Sequence, residues 1–165
     1  MLLQQLGEDF TQNNIENALK QVADNNPYER LLAVLPTNFE PKPMLEIMFI
    51  PGLEEEIEDA RLLQFYVGFN DKIPIAKKSI ILDFIAHINV YLPLPSFGYK
   101  EVDGLFYYKY VHAISTSSLQ NDRKVIMELF YLISYFADLY YPFIQALISG
   151  DISLEDAKLK TQVKV

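Results

Sequence analysis

The 165-residue chain contains no cysteine. That absence excludes disulfides, thiol nucleophiles and cysteine-ligated metal centres. Tryptophan is also absent, and histidine occurs only at His87 and His112. The six glycines stand apart at positions 7, 52, 68, 98, 104 and 150, so no glycine-rich loop can cradle a phosphate. There is no Gly-x-Ser-x-Gly elbow and no HExxH helix. Positive charge is scarce: 14 Lys and Arg against 22 Asp and Glu leave −8. Such a chain repels phosphate backbones and anionic lipid surfaces, so neither nucleic acid nor membrane is an expected partner.

An uninterrupted membrane-spanning run is missing too. The greasiest stretch, 125–148, is broken by Glu128, Asp138, Pro142 and Gln145 and lacks a flanking basic cluster. A spanning helix needs about 20 mostly apolar residues, so this stretch reads as a helix of a soluble domain. The start, Met1 to Asp9, lacks the basic and long apolar regions of a secretory signal. The expected compartment is the cytoplasm.

Half of the residues are hydrophobic, with 11 tyrosines and 11 phenylalanines, enough for one core. At about 150 residues per domain, 1–165 reads as a single domain with its core at 11–150 and a short C-terminal helix and tail at 151–165. Ile15, Ala18, Leu19 and Val22 fall at helical spacing and predict a helix over 11–24, stopped by Asp24-Asn25-Asn26-Pro27. Three strand-like runs follow at 28–35, 44–50 and 61–69. Between them lie a proline-rich connector, 36–43, and an acidic one, 54–59. Residues 76–91 predict a helix capped by Ser79. Phe97 to Val102 and Leu105 to Ile114 flank Asp103-Gly104, the signature of a two-residue type I′ hairpin. A long helix runs from 121 or 122 to Ser149, closed by Gly150, and Ser153 opens the last helix. The order α-β-β-β-α-β-β-α predicts an α+β fold, a five-stranded antiparallel sheet with helices packed on it.

Wound at about 100° per residue, the apolar positions of 125–148 cover an arc of roughly 200°. One sheet covers about half of that, so a second helix or a second subunit must cover the rest. Tyrosine, with an apolar body and a polar tip, suits interfaces. The interface candidates are Tyr107, Tyr108 and Tyr110 on the hairpin strand and Tyr131 and Tyr135 on the long helix, off its main apolar arc.

Asp83 and His87, four apart on one helical face, have a spacing that could hold a divalent ion, and His112 could approach. A zinc site needs three or four ligands, which this sequence does not supply, so no metal is expected. Glu54 to Asp59 lacks the alternation and central glycine of a calcium loop and reads as a solvated connector. Glu155 and Asp156 are adjacent, point apart on a helix and read as caps. No catalytic or cofactor-binding residues are expected.

Three segments carry a resemblance: Leu82-Asp83-Phe84-Ile85-Ala86-His87-Ile88-Asn89, then Pro95-Ser96-Phe97-Gly98-Tyr99-Lys100-Glu101-Val102-Asp103-Gly104, then Tyr107-Tyr108-Lys109-Tyr110. Together they resemble the YbjN-like bacterial family, in which a helix ending in Ile-Asn is followed by Phe-Gly, a hairpin and a long C-terminal helix. Leu63-Gln64-Phe65-Tyr66-Val67 fits the preceding strand, and the resemblance covers about residues 28–150. The connectors 36–43 and 54–59 depart from it. It implies a type III secretion chaperone-like fold, a sensory-transduction regulator or chaperone-like role, and no catalytic residues.

The function expected is a non-enzymatic cytosolic interaction module, chaperone-, adaptor- or regulator-like, acting as a homodimer with an unidentified protein partner. The alternative is a small-ligand-binding protein or enzyme with a site between sheet and helices near His87 and His112.

Overall fold

Alternation of buried and half-exposed residues organises the chain into one twisted sheet with a dry side and a wet side. The computed structural model describes residues 2–24, 27–53, 56–94, 96–117 and 122–162. Its order is α1 (Leu2–Gln12), β1 (Asn17–Lys20), β2 (Arg30–Val34), β3 (Met44–Phe49), β4 (Ala60–Lys72), a 3-10 turn (Ile75–Lys77), α2 (Lys78–Tyr91), β5 (Phe97–Lys100), β6 (Leu105–Ser115), α3 (Arg123–Ser149) and α4 (Leu154–Thr161). The strands form one antiparallel sheet in the order β1-β2-β3-β4-β6-β5. Asn25-Asn26, Glu54-Glu55 of the acidic connector, Pro95, the polar link at 118–121 and the last three residues lie outside the described residues.

Register decides which side is dry. Leu31 pairs with Ile47, Ile47 with Phe65, Leu45 with Val67 and Val67 with Tyr108; all are buried. They form one core with Leu3, Leu6 and Phe10 of α1, Phe84 and Ile88 of α2, and Phe130, Ile133 and Tyr140 of α3. The alternate residues form the other face. Across it runs the row Ala18, Leu32, Glu46, Tyr66, Lys109, half-exposed or exposed throughout.

The α+β class and the antiparallel sheet match the sequence expectation, but the sheet has six strands, not five. The difference lies in 11–24, where the chain leaves its helix after Gln12. The first helix is Leu2–Gln12, held by the stripe Leu2, Leu3, Leu6, Phe10. Asn14 then takes a left-handed turn with φ 58°, and 17–20 becomes an edge strand. The expected strands 28–35, 44–50 and 61–69 are present as β2, β3 and β4, the last extended to Lys72.

Two further expectations are corrected. Ser79 is not a cap: the 3-10 turn after Pro74 feeds directly into α2, whose N-cap, Lys77, makes no side-chain capping bond. Asp103-Gly104 is not a two-residue turn. Lys100 pairs with Leu105, so the loop is Glu101 to Gly104. Only Gly104 takes positive φ, 69°, and its N–H donates to the Lys100 carbonyl at 2.8 Å. A type I′ turn would need positive φ at Asp103 as well. The ends of α3 and α4 follow expectation. Gly150 closes α3 in the left-handed region, and the Ser153 hydroxyl accepts the Asp156 N–H at 3.1 Å.

Candidate interaction surface

The N-terminal half of α3 presents its outer face to solvent. Tyr131 is 43% and Tyr135 57% exposed, with Val125 beside them. Four residues apart, the two tyrosines lie on one side of the helix. Neither ring hangs free. Tyr131 packs edge-on against Phe130 at 5.4 Å, and Tyr135 leans on Phe136 at 5.9 Å. Both phenylalanines are buried, so each exposed ring stands next to a core residue of the same helix.

Two depressions flank this ridge. A groove of about 700 Å³ separates the end of α1 from the start of α3, lined by Asp9, Asn13, Arg123, Lys124, Met127, Glu128 and Tyr131. A shallower one of about 410 Å³ is bounded by Val125, Glu128, Leu129, Tyr131 and Leu132. Tyr131 lines both. The Arg123 guanidinium grips the Asp9 carboxylate at both oxygens, with Nε to Oδ2 at 2.7 Å, and fixes the two helix ends that make the larger groove. The result is a ridge of ordered apolar rings with charged margins, suited to contact with another apolar surface.

The rest of the apolar arc on α3 is covered within the chain. Phe10 of α1 meets Phe130 at 4.8 Å, Phe84 of α2 meets Phe143 at 6.2 Å, and α4 packs on both α2 and α3. The width of the arc therefore does not require a second subunit.

The hairpin tyrosines part company. Tyr107 lies on the open face, stacked on Tyr66 at 5.6 Å. Tyr108 is 1% exposed and its hydroxyl donates to the Leu94 carbonyl at 3.1 Å, which removes it from any surface. Burial, with nearby Tyr110, pushes its phenol well above the ordinary value. Tyr110 is half-buried on the helix-covered side, 3.4 Å from His112 Nδ1. Tyr140 and Tyr141 belong to the core.

The histidines have separate partners. His87 Nε2 lies 3.1 Å from the Lys158 carbonyl and joins α2 to the last turn of α4. His112 sits on β6 opposite Leu63, while Asp83 is exposed. Among the described residues no three His, Asp or Glu side chains converge on a possible metal position.

Two polar arrangements escaped the sequence reading. Asn89, near the end of α2, accepts from the Phe97 N–H and donates to the Phe97 carbonyl, both at 2.9 Å. Asp71, within the irregular stretch of β4 between Gly68 and Lys72, receives the Tyr141 hydroxyl at 2.5 Å and the Gln145 amide at 3.1 Å. The quoted Ile88-Asn89 and Phe97-Gly98 pairs were the available signal for the first. The second has no local signal, since its residues lie about 70 positions apart.

Comparison of the chain with protein-family models, curated proteins and solved structures finds no match in any of the three. No helix of the described residues is long and apolar enough to cross a membrane.

Proposed function

We propose that this chain is a non-enzymatic protein-interaction module of chaperone, adaptor or regulator type, working as a homodimer through the outer face of α3. One observation carries the reading: Tyr131 and Tyr135, a turn apart, stand exposed, and two grooves meet at Tyr131. A two-fold contact needs only one self-complementary patch. Antiparallel pairing of α3 about Tyr131 sets Lys124 of one copy opposite Asp138 of the other, so the charged margins are complementary. The likeness of Ile88-Asn89, Phe97-Gly98 and the hairpin to the YbjN-like family, with its type III secretion chaperone-like fold, supports the chaperone-like part. A cysteine-free composition suits a cytoplasmic setting.

Size-exclusion chromatography with light scattering tests the dimer. The wild type should run at twice the 19.1 kDa chain mass at micromolar concentration. Tyr131→Asp and Tyr135→Asp should give folded monomers with an unchanged circular dichroism spectrum. A wild-type monomer refutes the dimer; a dimer that survives both substitutions refutes this interface.

A further inference from the structure

The two free edges of the sheet are finished differently. Just before β5, Ser96 exchanges both backbone bonds with Lys109, at 2.8 and 2.9 Å. Antiparallel alternation therefore turns the N–H and C=O of Phe97 outward, and Asn89 takes both. At the other edge, the Val34 N–H donates to the Glu16 carbonyl at 2.9 Å, so Glu16, Ala18 and Lys20 face β2. The backbone groups of Asn17 and Leu19 point away from the sheet. Among the described residues none bonds to them.

A groove of about 390 Å³ runs along this open edge, lined by Gln4, Gly7, Glu8, Thr11 and Gln12 of α1 and by Asn17 and Leu19 of β1. Leu19 pairs with buried Leu31, so its side chain is on the helix-covered side. The outer flank of α1 overhangs the place where a seventh strand would lie. Asn17 is already held in position, its amide donating to Thr11 Oγ1 at 3.1 Å and to the Ile15 carbonyl at 3.0 Å.

We propose that β1 and α1 form a docking cleft for an extended, basic segment of another protein, added as a strand to the edge of β1. The unpaired backbone groups fix the occupant's conformation, because only another extended chain can use them in series. The lining fixes its charge: among the described residues Glu8 is the one charged side chain in the groove. A second copy is disfavoured as occupant. It brings a second chain of net charge −8 to a groove whose one charged lining residue is Glu8, and an antiparallel β1–β1 register about Ala18 sets Glu16 of one copy opposite Lys20 of the other without supplying a cation to Glu8. The cleft is separate from the ridge on α3, so this proposal stands or falls independently of the dimer.

The test uses a fluorescein-labelled octapeptide of alternating valine and lysine, followed by anisotropy at physiological salt with the full-length protein. Two controls accompany it: the peptide with glutamate for lysine, and the lysine peptide N-methylated at alternate amides. The lysine peptide should bind, and each control should bind roughly tenfold more weakly or worse. Leu19→Pro removes an outward-facing N–H, a change that edge strands tolerate, and should abolish binding while leaving circular dichroism unchanged. Should Leu19→Pro fail to fold, Glu8→Lys on the exposed helix surface still decides, because it should reverse the preference between the lysine and glutamate peptides. Equal binding of the N-methylated peptide, indifference to Glu8→Lys, or no binding overturns the proposal. So does a wild-type dimer that Leu19→Pro dissociates, which would assign the edge to a second copy.

Discussion

Gly98 and Tyr107 show why single residues in the hairpin cannot be exchanged freely. A Cβ built on Gly98 would lie 2.3 Å from Tyr107 Cζ, because the tyrosine ring lies flat over the glycine backbone on the neighbouring strand. The same ring stacks on Tyr66 one strand further on. Gly98→Ala must therefore displace Tyr107 and should cost about 1–2 kcal/mol in a denaturation experiment. In a Tyr107→Ala background the clash is gone. Gly98→Ala should then be neutral or stabilise by up to about 1 kcal/mol, since it stiffens the unfolded chain. Equal costs in both backgrounds would show that the ring is not the obstacle. The neighbouring Phe97 explains the rest of the motif: Asn89 bonds both of its outward backbone groups, as a strand would. The motif itself was visible in the sequence, but its reason depends on which backbone groups face outward, and no side-chain pattern encodes that.

At the scale of elements, the longer strands were legible because alternation persists through them. In 44–50 and 61–69 each apolar residue on the dry side is followed by one facing the other side. The first twenty residues misled for a physical reason. Ile15, Ala18, Leu19 and Val22 satisfy a helical period, yet 17–20 is only four residues long, too short for a two-residue period to compete. Asn13-Asn14 marks the true break, where Asn14 accepts positive φ. In the sequence, the proline-rich connector 36–43 shows only a link between strands. It is a strap on α3: the Asn38 N–H and side-chain amide donate to the two Asp138 oxygens at 2.7 and 2.9 Å, and Phe39 packs on Tyr141 at 4.7 Å. Asp138→Ala removes both acceptors at an exposed site and should cost about 1 kcal/mol. Hydrogen exchange at the Asn38 amide should accelerate while α3 keeps its helical signal. Unchanged protection of that amide would mean that Phe39 alone holds the strap.

For the whole molecule, composition indicates one apolar core but not the disposition of the aromatics within it. Tyrosine serves a core and a surface equally well, so Tyr108 and Tyr131 looked alike until register buried one and helix phase exposed the other. The buried phenols make the stability of the fold depend on alkaline pH. Burial pushes Tyr108, Tyr140 and Tyr141 above the ordinary value of 10.0. For Tyr141 the bond to Asp71 adds to the effect, because an ionised phenol would face a carboxylate with no proton between them. In the unfolded chain these groups lose their protons near pH 10, while in the folded protein they keep them to higher pH. Their contribution is thus complete below about pH 10 and is lost as pH rises from there toward the raised folded values. Titrated upward, the protein should show tyrosinate absorbance from these three residues only together with the loss of far-ultraviolet circular dichroism, at one shared midpoint. Tyr108→Phe removes one of the linked protons and should make the alkaline fall in stability shallower. Complete tyrosine ionisation with the circular dichroism intact would mean that water reaches these phenols in the folded protein, and that the core around Phe97, Phe106 and Tyr141 is looser than its packing indicates.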